Sequence, residues 1–291
     1  MVDSKLLPTK LITARRDSAR QYANPIKMGR NLWAHRELIR QFIKREVRGR
    51  YQGSFLGVLW SFITPLLMLT VYTFVFSIIF KARWGNNLSD SSQTGFALTL
   101  FTGLIAFGVF SECINRAPGL IISSPNYVKK VVFPLEILPV SVLGSALVNS
   151  LFSLAILLAA NLIFHGVMHW TIIFLPLMYL PLALLCLGLG WFLASLGVFV
   201  RDIGQFIGVA VQVLFFMTPI FYPISAIPEH LRFILYLNPL TFIVNHFRRV
   251  ILWGQLPDWG EFAVITILTG VVCMLGYIWF MKSKKTFADV V

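Results

Sequence analysis

Two short clusters in this chain carry residue types that do chemistry: His165 and His169, four apart, and Glu229 beside His230. A paired imidazole suits a metal, and a carboxylate next to a histidine suits acid–base work, provided that a third ligand or a second carboxylate stands close by. Neither cluster has such a companion in the sequence, so both read as joints between apolar stretches. Glu112 and Arg116, also four apart, suit a helical ion pair better than a proton relay, which needs more members. Cys113, Cys186 and Cys273 lie far apart in apolar runs without a CxxC pair and read as small core residues. The chain also lacks the Gly-Lys step of a phosphate-binding loop. No catalytic residue and no metal site is therefore assigned.

The elements that hold these residues are membrane helices. Hydrophobic residues make up 57% of the chain and charged residues 13%, with a mean hydropathy of +0.76, too little polar surface for a soluble globule. Uncharged runs long enough to cross a bilayer recur. They predict an all-α integral membrane protein with six crossings, near residues 54–80, 95–116, 137–164, 171–199, 203–223 and 261–281. A basic arm over 1–30, one membrane domain over 31–285 and a tail over 286–291 complete the organisation. No cleavable leader is expected, because a long basic segment precedes the first apolar run. The charges between Phe55 and Val200 lie in the joints or at the ends of the runs. With no acid or base at mid-depth and no internal repeat, a proton-coupled pump is disfavoured. The chain is expected to form a route through a membrane and to take its energy from another polypeptide.

Lys and Arg total 25. Placing both termini in the cytoplasm leaves only Lys81, Arg83, Arg232, Arg248 and Arg249 outside, as the positive-inside rule prefers. The net charge of +13 then lies beside anionic headgroups, which argues against nucleic acid as a partner.

Asn31 is expected to cap an amphipathic helix in which Leu32, Trp33, Leu38, Ile39, Phe42, Ile43 and Val47 form the apolar face. Arg36, Arg40, Lys44, Arg45 and Arg48 occupy the other side, as in an interfacial helix. It can serve as a surface anchor, as a docking face for a cytoplasmic subunit, or as both. Gly49, Gly53 and Gly57 follow at four-residue intervals, which fits either a close helix contact or a soft elbow.

Pro125 and Pro134 bracket a short segment with Tyr127, Val131 and Val132 on one side and Lys129 and Lys130 beside them. It is either an ordinary surface helix or a lever for a partner. At the far end of the fifth run Pro219 and Pro223 break the chain, and Asn238-Pro239 splits two apolar pieces too short to cross. Short helices dipping in from the outer surface would make a gate there. Aromatic residues crowd the first run, among them Tyr51, Trp60, Phe62, Tyr72 and Phe76, and the fifth, with Phe215, Phe216, Phe221 and Tyr222. Single aromatics commonly face lipid, whereas a row of them can pass sugars by stacking on their C–H faces.

The basic helix from Arg36-Glu37-Leu38-Ile39 to Arg50-Tyr51, then Gly53-Ser54-Phe55-Leu56-Gly57-Val58-Leu59-Trp60 and Thr64-Pro65-Leu66, resembles permease subunits of type 2 ABC exporters for polysaccharide, which serve O-antigen, capsule and teichoic acid. So do Thr218-Pro219-Ile220-Phe221-Tyr222-Pro223 and Leu237-Asn238-Pro239-Leu240-Thr241. The resemblance covers residues 30–285, while the arm before it is longer than the family usually has. It implies a homodimer of six-helix subunits in a bacterial inner membrane, with two copies of a separate cytoplasmic ATPase that binds ATP and Mg, so that this chain needs no cofactor. It implies that Asn126, Tyr127, Lys129 and Lys130, with Arg36 and Arg40 beside them, couple to that ATPase. Tyr51, Trp60, Phe62, Tyr72, Phe76, Phe215, Phe216 and Tyr222 would line the channel, and Pro219, Pro223, Asn238 and Pro239 would form a periplasmic gate. The implied substrate is a glycan on a polyprenyl diphosphate lipid. A polytopic glycosyl- or acyltransferase is the alternative class.

Overall fold

The computed structural model describes residues 24–53, 55–79, 93–129 and 133–290, and among them every regular element is helical. Lys130 and residues 1–23 of the basic arm lie outside the described residues, as do the side chains of Tyr51 and Phe76.

Helix α1 spans Pro25–Ala34. Pro25 opens this helix instead of breaking the chain, because the first turn needs no N–H from it. The cap is Asn24, whose side chain accepts from the Ile26 and Lys27 amides at 2.9 and 3.3 Å. Asn31, expected as the cap, lies inside α1 and uses its amide elsewhere. His35 interrupts the helix, and α2 resumes over Arg36–Tyr51. Gly53 (φ 85°) and Gly57 (φ 51°) then take left-handed backbone, which only glycine adopts cheaply. Gly49, Gly53 and Gly57 therefore share no helical face, and of the two readings the elbow is the one observed.

Beyond the elbow come α3 (Trp60–Tyr72), continued by a π-helical segment Thr73–Ile79, then α4 (Gln93–Arg116), α5 (Pro125–Lys129) and α6 (Ile137–His165). A 3₁₀ turn leads into α7 (Leu175–Phe199), followed by α8 (Ile203–Met217), α9 (Arg232–Tyr236), α10 (Pro239–Ile251), α11 (Trp259–Ser283) and α12 (Phe287–Val290). Among the described residues, four helical stretches, containing α4, α6, α7 and α11, are long and apolar enough to cross a membrane. The first and fifth uncharged runs instead form shorter helices. At 1.5 Å per residue α8 reaches about 22 Å, against a hydrocarbon core of roughly 30 Å, and α3 reaches about 20 Å before its π-helical continuation to Ile79. Apolarity alone overstates their length, because the elbow takes residues before α3 and the break at Thr218-Pro219 ends α8.

Helix α4 is central, with 78% of its most apolar stretch buried, against 28–39% for the other three long helices. The tightest crossing joins α7 and α11, where a Cβ on Gly276 would stand 2.0 Å from the Gly188 carbonyl oxygen. Such small residues let helix backbones meet. Helices α7 and α11 run side by side in the same direction and end where α6 begins, which gives the bundle two ends. One, the basic end, gathers α1, α2, α5, the start of α6 and the end of α11 around Phe42, Ile121, Trp191, Tyr277, Phe280 and Phe287. The opposite end gathers α9, α10 and the last turns of α6 and α8.

Candidate functional site

At the basic end an aromatic box fixes α5 to α2. Phe42 on α2 lies 5.5 Å from both Tyr127 and Phe133, and Tyr127 stacks on Phe133 at 4.5 Å. Arg45 caps the box: its guanidinium stands 4.2 Å above the Phe42 ring and donates to Tyr127 Oη at 2.7 Å. Tyr127 thus faces its own subunit, whereas Asn126 and Lys129 are exposed on the outer side of α5. Arg36 and Arg40 are exposed on α2, rimming an open groove with Leu32, Trp33, Ile39 and Ile43.

Two ionic clusters hold this end together. Arg50 on α2 pairs with Glu112 on α4, and Arg116 pairs with Glu46, with Arg116 and Glu112 also 3.7 Å apart along α4. Because α2 and α4 cross antiparallel, the Glu-x-x-x-Arg spacing of each lays its acid against the base of the other. The second cluster centres on Glu136, which takes Lys284 Nζ at 2.6 Å and Asn31 Nδ2 at 2.9 Å. Burial alone would raise the Glu136 pKa, but the Lys284 ammonium and the Asn31 amide together bring it below its ordinary value. Trp191 Nε1 donates to the Glu136 carbonyl at 2.9 Å, tying α7 to the same point.

The sequence-predicted aromatic residues fall into two groups. Near the opposite end Phe215 and Phe216 meet Phe221, with ring centroids 5.0 and 6.2 Å away, and Tyr72 reaches the same ring at 6.3 Å. Tyr222 Oη donates to the Phe216 carbonyl at 2.7 Å. Trp60 and Phe62 stand apart from this group, near the elbow, where Phe62 meets Phe152 of α6 edge-on at 5.0 Å.

Pro219, Asn238 and Pro239 converge on one knot. Asn238 caps α10 through the Leu240 amide and donates to Thr218 Oγ1 at 3.0 Å, with Pro239 at the first helical position. Arg248 closes the knot from α10. It is 3% exposed and donates to the carbonyls of Pro219, Ile220 and Thr99 at 2.8, 3.1 and 3.1 Å. Sequence reasoning counted this arginine only among the charges on the outer side, although its register, four after Val244 and three before Ile251, sets it on the apolar side of α10. Pro223 lies beyond the knot, at the start of the turn Ile224–Ala226.

His165 bonds Asn161 Oδ1 at 2.9 Å and His169 abuts Gly254, so the two imidazoles have separate structural partners. Among the described residues no three His, Cys, Asp or Glu side chains converge as a metal site. All three cysteines are free and buried.

Long apolar helices around a buried α4, with a polar knot at one end and a basic cluster at the other, define a multi-pass membrane protein. The chain belongs to the ABC-2 type transporter family, whose model matches residues 37–252. It is 27% identical over 266 residues to the O-antigen export system permease protein RfbA of Myxococcus xanthus, covering 91% of this chain and 99% of that protein. A Klebsiella pneumoniae protein of the same name is 26% identical over 268 residues, with the same coverage. The polysialic acid transport protein KpsM of Escherichia coli is 25% identical over 239 residues, or 80% of this chain and 88% of that one. The family inferred from the Thr64-Pro65 and Asn238-Pro239 motifs is the family found.

Proposed function

We propose that this chain is the permease subunit of an ATP-driven exporter that carries O-antigen on a polyprenyl diphosphate lipid across a bacterial inner membrane. The observation that carries this reading is the near end-to-end match with O-antigen export permeases, at 99% of their length. The polysialic acid relative aligns over less of both chains, which ranks capsule export second.

In this reading a homodimer sits in the membrane with both termini in the cytoplasm, and two copies of a cytoplasmic ATPase bind ATP and Mg. The exposed Asn126 and Lys129, with Arg36 and Arg40, meet that ATPase. Tyr127 transmits its push to α2 through Arg45 and Phe42, a role supported by the aromatic box. The segments containing α3 and α8 complete six crossings in each subunit of the dimer and line the path with Tyr72, Phe215, Phe216 and Tyr222. The knot at Pro219, Asn238, Pro239 and Arg248 is the hinge of a gate on the outer face, formed by α9 and α10.

Cells lacking the chain test this reading. The expected result is loss of surface O-antigen with lipid-linked glycan accumulating inside. Disappearance of both pools would instead make the chain part of glycan synthesis.

A further inference from the structure

Helices α3, α4 and α6 border two half-open cavities at successive levels. Near the opposite end about 540 Å³ is walled almost wholly by apolar side chains, such as Leu66, Phe74, Leu98, Ile156 and Phe164. Near the elbow about 530 Å³ is walled differently, by Trp60, Ser61 and Thr64 of α3 and by Asn149, Ser150 and Ser153 of α6. Both volumes fall in the range of roughly 300–1,000 Å³ usual for small-molecule sites. No residue of α8 lines the second cavity, so it is separate from the aromatic group near Phe221.

Three observations mark this polar cavity as built for a ligand. Ser61 is 6% exposed, yet its hydroxyl has no hydrogen-bond partner. A buried polar atom without a partner is costly unless something else supplies the bond. Gly108 of α4 also lines the cavity, and a Cβ built there meets nothing within 4 Å. The floor of the space is thus held open by the lack of a side chain. Finally, the indole of Trp60 offers an apolar face beside the hydroxyls, the pairing that suits a ring with C–H faces and an O–H rim.

The charges at the cavity mouth exclude an anion as the favoured occupant. Arg50 and Glu112 both line it, and they pair with each other, while Arg116 is held by Glu46. The cations there are already neutralised. We infer that the space between α3, α4 and α6 is a binding site for an uncharged, polyhydroxylated sugar ring, with the apolar cavity beyond it receiving an attached hydrocarbon chain. As a holding site for sugars of the exported glycan remote from its diphosphate, the polar cavity rests on the permease reading. A glycolipid of the surrounding membrane presents the same chemistry.

The full chain in lipid nanodiscs is exposed to an alkyl glucoside carrying a diazirine in its chain, and cross-linked peptides are mapped. Labelling is expected on residues 60–74, 94–112 and 146–164. Gly108→Leu, whose Cβ enters open space and whose side chain extends into the cavity, should lower it at least tenfold at unchanged thermal stability. Ser61→Val should lower it several-fold. Equal labelling of Gly108→Leu, or equal labelling by the same chain ending in phosphocholine, overturns the site. Export by cells carrying Gly108→Leu then tells the two sources apart. Loss of export assigns the site to the exported glycan, and normal export with lost labelling assigns it to a membrane glycolipid. Labelling does not depend on export, so failure of the permease reading leaves the sugar site standing.

Discussion

Arg248 shows how one side chain can hold a chain break in place. Its three buried carbonyl acceptors lie on α4 and on the loop after α8, so it fastens α10 to both. Charge-assisted bonds of this kind are the strong ones, and leaving the acceptors without a donor is costly. Arg248→Leu is expected to destabilise the chain by about 3 kcal/mol or more, read as a lower unfolding temperature in detergent, whereas Asn238→Ala, losing a cap and one bond, should cost about 1 kcal/mol. Glu136 gives a pH signature. Its carboxyl has a lower pKa in the folded chain than the ordinary 4.5, so its contribution is fully present above that value and is lost as pH falls through the folded value. Glu136→Gln should therefore lose less stability than the parent chain as pH falls below 4.5. An equally steep fall would show that other carboxylates dominate. The ionic residues were the least legible part of the sequence. Glu112 and Arg116 were readable as a pair from their spacing, but their partners Glu46 and Arg50 became visible only once α2 was seen to cross α4 antiparallel. Arg248 was hidden because its charge outweighed its register.

Helices were legible where one physical cause set both ends. The run from Ile137 to His165 begins beside Glu136 and ends at Gly166 in left-handed backbone, and the sequence located it to within a residue. The first run was overestimated at its near end and the fifth at its far end, because absence of charge marks what lipid tolerates and says nothing of where a helix starts or stops. In α3 and α8 the stops come from Gly57 and from Thr218-Pro219. At the start of the chain the reverse error arose: Pro25, read as a breaker, occupies the one helical position that favours proline. Helix crossings were not legible, since nothing in the pattern pairs Gly188 with Gly276. Two glycines of α11 test that crossing. A Cβ at Gly276 overlaps the Gly188 carbonyl, while one at Gly270 meets open space. Gly276→Ala should destabilise by about 1–3 kcal/mol through overpacking. Gly270→Ala should be neutral or stabilising by up to about 1 kcal/mol through helix propensity. Thermal unfolding of the two variants side by side checks both values.

For the whole molecule, composition and charge distribution carried the reading furthest. A chain with long uncharged runs and its cations gathered in one set of joints must be a membrane protein, and the lack of a nucleotide loop points to energy supplied from outside. The buried Arg248 leaves that argument intact, because its donors are spent on fixed backbone carbonyls that hold a loop. Of the aromatic path, the residues on α8 and Tyr72 converge, whereas Trp60 and Phe62 turn toward α6. Sequence could not separate these groups, since all three residues of the first run lie on α3, and the pattern does not say which neighbour stands beside its start and which beside its end.

Dependence on a partner ATPase is the centre of this account, and reconstitution tests it most directly. The chain is placed in proteoliposomes with lipid-linked glycan, with and without the ATPase that copurifies with it from its own membrane, and glycan crossing the bilayer is measured. Crossing that requires the ATPase and hydrolysable ATP is the expected result. Crossing at the same rate without the ATPase would contradict the account and return the chain to the class of self-sufficient membrane proteins.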